Sequence, residues 1–275
     1  MPKVVYEKRG AVAHIRLNRP EVKNAIDVET NDLLRDAWRD FGGDADLRVA
    51  VITGTGDAFC AGADLRTHVP EWNGVGPMLA RSKLGDGFAG GITRGQHRIY
   101  KPIVAALNGW VIGGGLELAL ACDIRVASER AQFGSFELRR GMHPADGGIV
   151  RLVNICGAGI ALEMELTGEP IDARRALAAN LVSRVVPHDE LMDATEDLVA
   201  KILRNDRRAV ESAKETILEV IGRPLDDQLR TECMLGYALC GDNPAIAERS
   251  EQFFGRRDAG RAGTTPTPVR QRVAG

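Results

Sequence analysis

Hydrophobic and polar positions alternate with period two over residues 4–6 and 12–17, and Arg9-Gly10 lies between them, a pattern that predicts a β-hairpin. Asn18-Arg19-Pro20 breaks the alternation. Asp27 is then placed to cap a helix in which Leu33, Leu34, Trp38 and Phe41 recur at helical spacing, and Gly42-Gly43 ends it. Residues 49–52 read as a short buried strand leading into a glycine-rich loop. From Arg66 to Gly95 the chain is polar and irregular, which predicts a mobile loop with short helices. The pattern sharpens after Lys101-Pro102: a strand over 103–107, a turn over 109–115 and an apolar helix over 116–121. Two more strands follow at 123–127 and 131–133. Helical periodicity dominates from Ile149 onward, with Asp172 as a cap, one strand over 181–186 and a helix from Asp189 to Leu203. Strand, loop and helix in alternation predict an α/β core with a largely parallel sheet. The expected division is a core over 1–200, a helical region over 201–255 and a solvated Arg, Gly, Thr and Pro tail over 256–275.

Composition narrows the partners. The 275 residues carry 36 Lys+Arg against 38 Asp+Glu, a formal charge of −2, without the basic excess of a nucleic-acid-binding domain. No apolar run approaches the roughly 18 residues of a membrane span, and the first residues lack the apolar stretch of a signal peptide, so the expected compartment is the cytosol. The five cysteines form no C-x-x-C pair, which agrees with a reducing compartment and predicts no metal site. Cys233 and Cys240, seven apart, are expected on one helix face as small hydrophobes. Glycine is in excess: 31 of 275 is about 11%, against a typical value of roughly 7%.

Two glycine-rich loops, 51–65 and 104–118, each follow a strand and each contain an acidic residue. Glycines after a strand let backbone N–H groups face a bound oxygen, and a helix starting at the second loop adds its positive dipole end. The same glycines also suit tight turns and close packing. Glu117 lies within an apolar helix turn, and Glu137 follows Phe133-Gly134-Ser135-Phe136. Two partly buried carboxyls can have their proton affinities pushed apart, which suits proton transfer at carbon beside a polarised carbonyl. Glu117 could instead pair with Arg125 or Arg139. The letters of G-x-G-x-x-G at 85–90 follow no buried strand and lie in no βαβ unit, so no dinucleotide site is expected there.

In order along the chain, Asn18-Arg19-Pro20, Phe59-Cys60-Ala61-Gly62-Ala63-Asp64-Leu65, Lys101-Pro102-Ile103-Val104, Gly113-Gly114-Gly115-Leu116-Glu117, Ala131-Gln132-Phe133-Gly134 and Leu166-Thr167-Gly168 together resemble the crotonase superfamily, the enoyl-CoA hydratases and isomerases. The resemblance runs from Val4 to Phe254. It implies a crotonase-like (ββα)n spiral core with a helical C-terminal trimerisation region, and an acyl-CoA thioester as substrate. The expected reaction is addition of water across the 2,3 double bond of a 2-enoyl-CoA, with double-bond isomerisation as the alternative. It further implies that the Ala63 and Gly114 N–H groups hold the thioester oxygen. Glu117 would then activate water and Glu137 deliver the α-proton, while Ala61, Ala63, Asp64 and Leu65 line the adenine end of CoA. No metal or redox cofactor is implied, since coenzyme A is part of the substrate, and relatives assemble as homotrimers or homohexamers. Two positions depart from the hydratase pattern: Phe136 replaces a proline, and Ala145-Asp146-Gly147-Gly148 replaces Gly-Ala-Gly-Gly. Asp146 is expected either to cap the helix that follows or to act as a third acid. His143 is expected as a loop residue against the acyl pocket.

Overall fold

The structure is a computed structural model that describes residues 1–72, 76, 87–95 and 99–261. Its chain forms two compact units, Met1–Glu219 and Val220–Gly275. In the first, strands β1 (Val4–Arg9) and β2 (Val12–Leu17) form the expected antiparallel hairpin around Gly10. The remaining strands of that sheet, β3 (Val49–Gly54), β5 (Ile103–Leu107), β7 (Ile124–Ser128) and β10 (Arg184–Val186), run parallel in the order β1-β2-β3-β5-β7-β10. Strand β5 is buried along its whole length, as its run of apolar residues requires in a sheet covered on both faces.

A second, smaller sheet has the order β4-β6-β8-β9, built from Ala58–Cys60, Trp110–Ile112, Gln132–Gly134 and Ile171–Asp172. The first three are parallel and β9 is antiparallel. Strands β3, β5 and β7 of the large sheet are each followed within a few residues by β4, β6 and β8 of the small one. Each such pair moves one step across both sheets, which is the expected ββα spiral. Two short strands differ from the expectation. The stretch 109–115, expected to be a turn, contains β6, and the glycine-rich loop after β3 contains β4. Their partners lie in the other pair members rather than next in sequence, so three residues carry no readable local pattern.

Asp27 caps the helix Val28–Gly43 by accepting from the Thr30 N–H at 2.8 Å, and Leu34, Ala37, Trp38 and Phe41 are its buried face. Leu33, expected on that face, is exposed. Asp172 likewise caps Ala173–Ala178 through the Arg175 N–H. The strand expected over 181–186 is only Arg184–Val186; Leu181 and Val182 are buried without pairing. The helix Arg207–Val220 is tied to the sheet by Lys214, whose Nζ donates to the Lys101 carbonyl at 3.0 Å and to Asp123 Oδ2 at 2.7 Å. Of the irregular stretch Arg66 to Gly95, helices Leu65–Trp72 and Ile92–Gly95 are described; the expected mobility lies outside the described residues.

The second unit contains the helices Leu225–Asp242 and Ala245–Arg261. The second of them continues to Arg261, six residues into the stretch expected to be a solvated tail. Cys233 and Cys240 are exposed and not core hydrophobes. Leu225, Leu229, Met234, Tyr237, Phe253 and Phe254 are also exposed, an apolar excess for a pair of surface helices. Among the described residues no helix is long and apolar enough to cross a membrane, and no cluster of three or more His, Cys, Asp or Glu could hold a metal ion.

Candidate active site

The two glycine-rich loops meet backbone to backbone. A Cβ at Gly62 would stand 2.9 Å from the Gly114 nitrogen and 2.9 Å from the Ile112 oxygen, and one at Gly115 would stand 2.2 Å from the Cys60 oxygen. No side chain fits at either place, so glycine here serves close approach. Asn24 and Asn108 hold the first loop from below. Asn24 Nδ2 donates to the Thr55 and Ala58 carbonyls at 2.9 and 2.8 Å, and Asn108 Nδ2 donates to Gly56 and Ala58 at 2.9 and 3.1 Å. Ala63 then bridges to Ile26: the Ile26 N–H donates to the Gly62 carbonyl, and the Asp64 N–H to the Ile26 carbonyl. This pairing leaves the Ala63 N–H without an acceptor among the described residues. Gly114 opens the helix Gly114–Ala121, where an N–H has no intrahelical partner, and it too meets no acceptor among the described residues. Two unpaired backbone donors thus lie on adjoining loops, one of them at a helix N-terminus.

Glu137 adjoins this point, and Glu117 lies on the helix that starts there. Glu117, on the first turn of that helix, is only 6% exposed, and its Oε1 accepts from the Asp146 N–H at 2.8 Å and the Gly148 N–H at 3.1 Å. Burial pushes its carboxyl up to about 7; the charges of Asp146 and Glu137 add to the rise, and the two backbone donors oppose it. The alternative partners fall away: Arg125 donates to the Leu181 and Cys122 carbonyls, and Arg139 pairs with Glu169 at 2.6 Å. Glu137 stands just beyond β8, where its Oε1 would lie 3.0 Å from a Cβ placed on Gly113. Gly113 has φ +56° and ψ −125°, a conformation that side chains rarely adopt, and its N–H donates to the Gly134 carbonyl. One glycine therefore adjoins both the donor at Gly114 and the carboxylate of Glu137.

Asp146 does not cap the following helix, whose N-cap is Gly147. Its Oδ1 instead accepts from the Phe88 N–H, the Thr93 hydroxyl and Arg94 Nε, each at 3.1 Å. These bonds fasten the segment 87–95 over the site, and the Phe88 ring covers Gly114. His143 is exposed. Asp64 stands at the start of the helix Leu65–Trp72, where Arg19 pairs with its carboxylate at 3.2 Å, and Ala61 donates to the Lys23 carbonyl. Ala61, Ala63, Asp64 and Leu65 thus lie on one strand-to-helix connection, which includes the donor at Ala63.

Sequence reasoning passed over Ser135 and Glu165. Ser135 is 2% exposed and its Oγ lies 3.0 Å from Glu137 Oε2 and 2.9 Å from Glu165 Oε2. The signal for Glu165 was available: it shares the buried stripe of its helix with Ala161 and Met164.

A family profile described as enoyl-CoA hydratase/isomerase matches residues 7–258. The chain belongs to this family. Among curated members, the (E)-benzylidenesuccinyl-CoA hydratase of Thauera aromatica is 36% identical over 259 residues, covering 93% of this chain and 97% of that protein. The short-chain-enoyl-CoA hydratase of Clostridium acetobutylicum is 34% identical, covering 83% and 86%. Among solved structures, an enoyl-CoA hydratase from Mycobacterium tuberculosis H37Rv superposes with a TM-score of 0.83 at 33% identity, over 93% of this chain and 97% of that one. The fold of this hydratase/isomerase family member is therefore the crotonase fold expected from its motifs.

Proposed function

We propose that the protein is an enoyl-CoA hydratase that adds water across the 2,3 double bond of a 2-enoyl-CoA. The observation that carries this reading is the pair of backbone donors at Ala63 and Gly114 that meet no acceptor among the described residues, with the Glu137 carboxyl against Gly113 and Glu117 on the helix that Gly114 opens. In this reading the thioester oxygen accepts from the Ala63 and Gly114 N–H groups. Preorganised donors aimed at a developing enolate are worth about 3–4 kcal/mol each in other enzymes. Glu117 takes a proton from water; its Oε1 is occupied by two backbone donors, which leaves Oε2 for that proton. Glu137 delivers a proton to the α-carbon. Water supplies both the hydroxyl at the β-carbon and, through the two carboxyls, the balance of protons.

The backbone from Ala61 to Leu65 would run beside the adenine end of CoA, which enters as part of the substrate; proton transfer beside a thioester carbonyl calls on no metal and no electron acceptor. Isomerisation by a third acid is the weaker reading, because the three donors on Asp146 Oδ1 commit that carboxylate to holding the 87–95 segment. The exposed apolar residues of the C-terminal helices support assembly as a homotrimer or a pair of trimers, and the unpaired cysteine set supports a cytosolic setting.

The test is a panel of 2-enoyl and 3-enoyl thioesters of several chain lengths, assayed separately for water addition and for double-bond migration. Hydration that falls by about 10²–10⁴ in Glu137→Gln is the expected result. Unchanged hydration in both Glu117→Gln and Glu137→Gln, or migration without water incorporation, overturns it.

A further inference from the structure

We propose that Glu165 is a positioning residue for Glu137, a buried carboxylic acid that shares a single proton with it across the Ser135 hydroxyl. The inference rests on the hydratase reading for its kinetic arm and goes beyond it. A serine hydroxyl has one hydrogen, yet Ser135 Oγ stands within hydrogen-bond distance of two carboxyl oxygens, Glu137 Oε2 and Glu165 Oε2. If both carboxyls were ionised, one of these contacts would set an oxygen lone pair against another with no hydrogen between. At least one carboxyl must therefore carry a proton.

Glu165 is the carrier that costs least. It is 5% exposed, and its Oε1 is buried with no hydrogen-bond partner among the described residues. An unpartnered oxygen is far less costly as the carbonyl of a neutral acid than as half of a carboxylate. Burial pushes the Glu165 carboxyl above its ordinary value; the Ser135 hydrogen bond opposes this, the Glu137 charge adds to it, and His143 opposes it. The other charged groups nearby are committed elsewhere: Glu163 on the same helix to Arg175, and Arg139 to Glu169.

Two arrangements of the proton follow. In the first, Glu165 Oε2–H donates to Ser135 Oγ and Ser135 O–H donates to Glu137 Oε2. In the second, Glu165 has passed its proton to Ser135 Oγ as Ser135 passed its own to Glu137 Oε2. Glu165 is then the carboxylate, Glu137 the neutral acid, and Ser135 is unchanged. Either arrangement keeps one proton on the pair; the proton that Glu137 delivers to the α-carbon is a second one, and the proton that Glu117 takes from water replaces it through solvent.

The experiment uses the full chain and the variants Glu165→Gln and Ser135→Ala, each checked for an intact fold by thermal melting. Infrared difference spectra of the free protein read the proton directly. Glu165→Gln minus wild type is expected to show a lost carboxylic-acid carbonyl band, and Ser135→Ala to retain that band at higher frequency, because the acid has lost its acceptor. In Glu165→Gln the amide N–H holds Ser135 so that its O–H always donates to Glu137, and no proton can reach Glu137 from residue 165. With that route closed, kcat is expected to fall roughly ten-fold with KM unchanged. At pH 8, where Glu117 is ionised, an acid band as strong in Glu165→Gln as in the wild type or unmoved in Ser135→Ala, or an unchanged kcat in Glu165→Gln, overturns the proposal. Should Glu165→Gln not fold, the Ser135→Ala band decides it. A wild-type protein that shows the acid band but hydrates no thioester refutes the hydratase reading and leaves the shared proton standing.

Discussion

Replacing Glu117 by glutamine is expected to remove hydration and at the same time strengthen the fold, by an amount that depends on pH. The carboxyl is 6% exposed and burial raises it from 4.5 to about 7. A rise of about 2.5 units, at about 1.36 kcal/mol each, is a cost of about 3 kcal/mol for ionising the group in the folded protein. The sign is the reverse of a salt-bridged carboxylate: the folded chain holds the proton more tightly than the unfolded one, so stability falls as pH rises from 4.5 to about 7. Below that window Glu117 is neutral in both states and costs nothing. Above it the full cost is present. Glutamine keeps an oxygen to accept from the Asp146 and Gly148 N–H groups, so the local hydrogen bonds survive the change. Denaturant unfolding of both proteins at one concentration should give equal stabilities near pH 4 and a variant more stable by about 3 kcal/mol near pH 8. The reasoning fails if the difference is independent of pH, or if the variant is the weaker protein near pH 8. If Glu117 activates water as proposed, the same ionisation governs the rate, and wild-type kcat/KM should fall as pH drops through about 7.

Three further outcomes are expected. Gly113→Ala places a methyl 3.0 Å from Glu137 Oε1 at φ +56°; it should cost about 1–3 kcal/mol of stability by unfolding, and a steady-state assay should show kcat falling more than KM rises. Asn24→Ala removes two donors to the Thr55 and Ala58 carbonyls and an acceptor for the Arg19 N–H, all at a site 1% exposed, and should destabilise by about 2–4 kcal/mol in denaturant titration. Asp146→Asn weakens the three bonds that hold 87–95; KM for the thioester should rise while the products remain those of hydration, and a switch in product class would contradict the positioning role given to Asp146.

Elements whose causes are local were legible in the sequence. The hairpin at Gly10 and the caps at Asp27 and Asp172 need only neighbours within a few residues, and all three form as expected. Strands β4 and β6 have three residues each and exist because they pair with one another across some fifty positions, so no period-two signal could announce them. Asp146 illustrates a second kind of loss. Aspartate before a helix favours capping, but here the side chain is drawn to Phe88, Thr93 and Arg94, partners more than fifty residues away. Glu117 and Glu137 stood out because a carboxyl in an apolar setting demands an explanation. Glu165 meets the same criterion, but its helix also carries the exposed Glu163, nearly opposite it and paired with Arg175, and the sequence alone does not say which of the two faces the core.

The contact between the two glycine-rich loops separates what can change in this enzyme from what cannot. Because Gly62 meets the Gly114 nitrogen and Gly115 meets the Cys60 carbonyl with no side chain between, the spacing of the two donors is a property of main chain alone. Side chains elsewhere around the loops can be exchanged without shifting that spacing; if the two N–H groups hold the thioester oxygen as proposed, substrate preference is free to drift while that geometry is inherited intact. The converse is equally sharp: any residue larger than glycine at 62 or 115 pushes the loops apart and separates both donors at once.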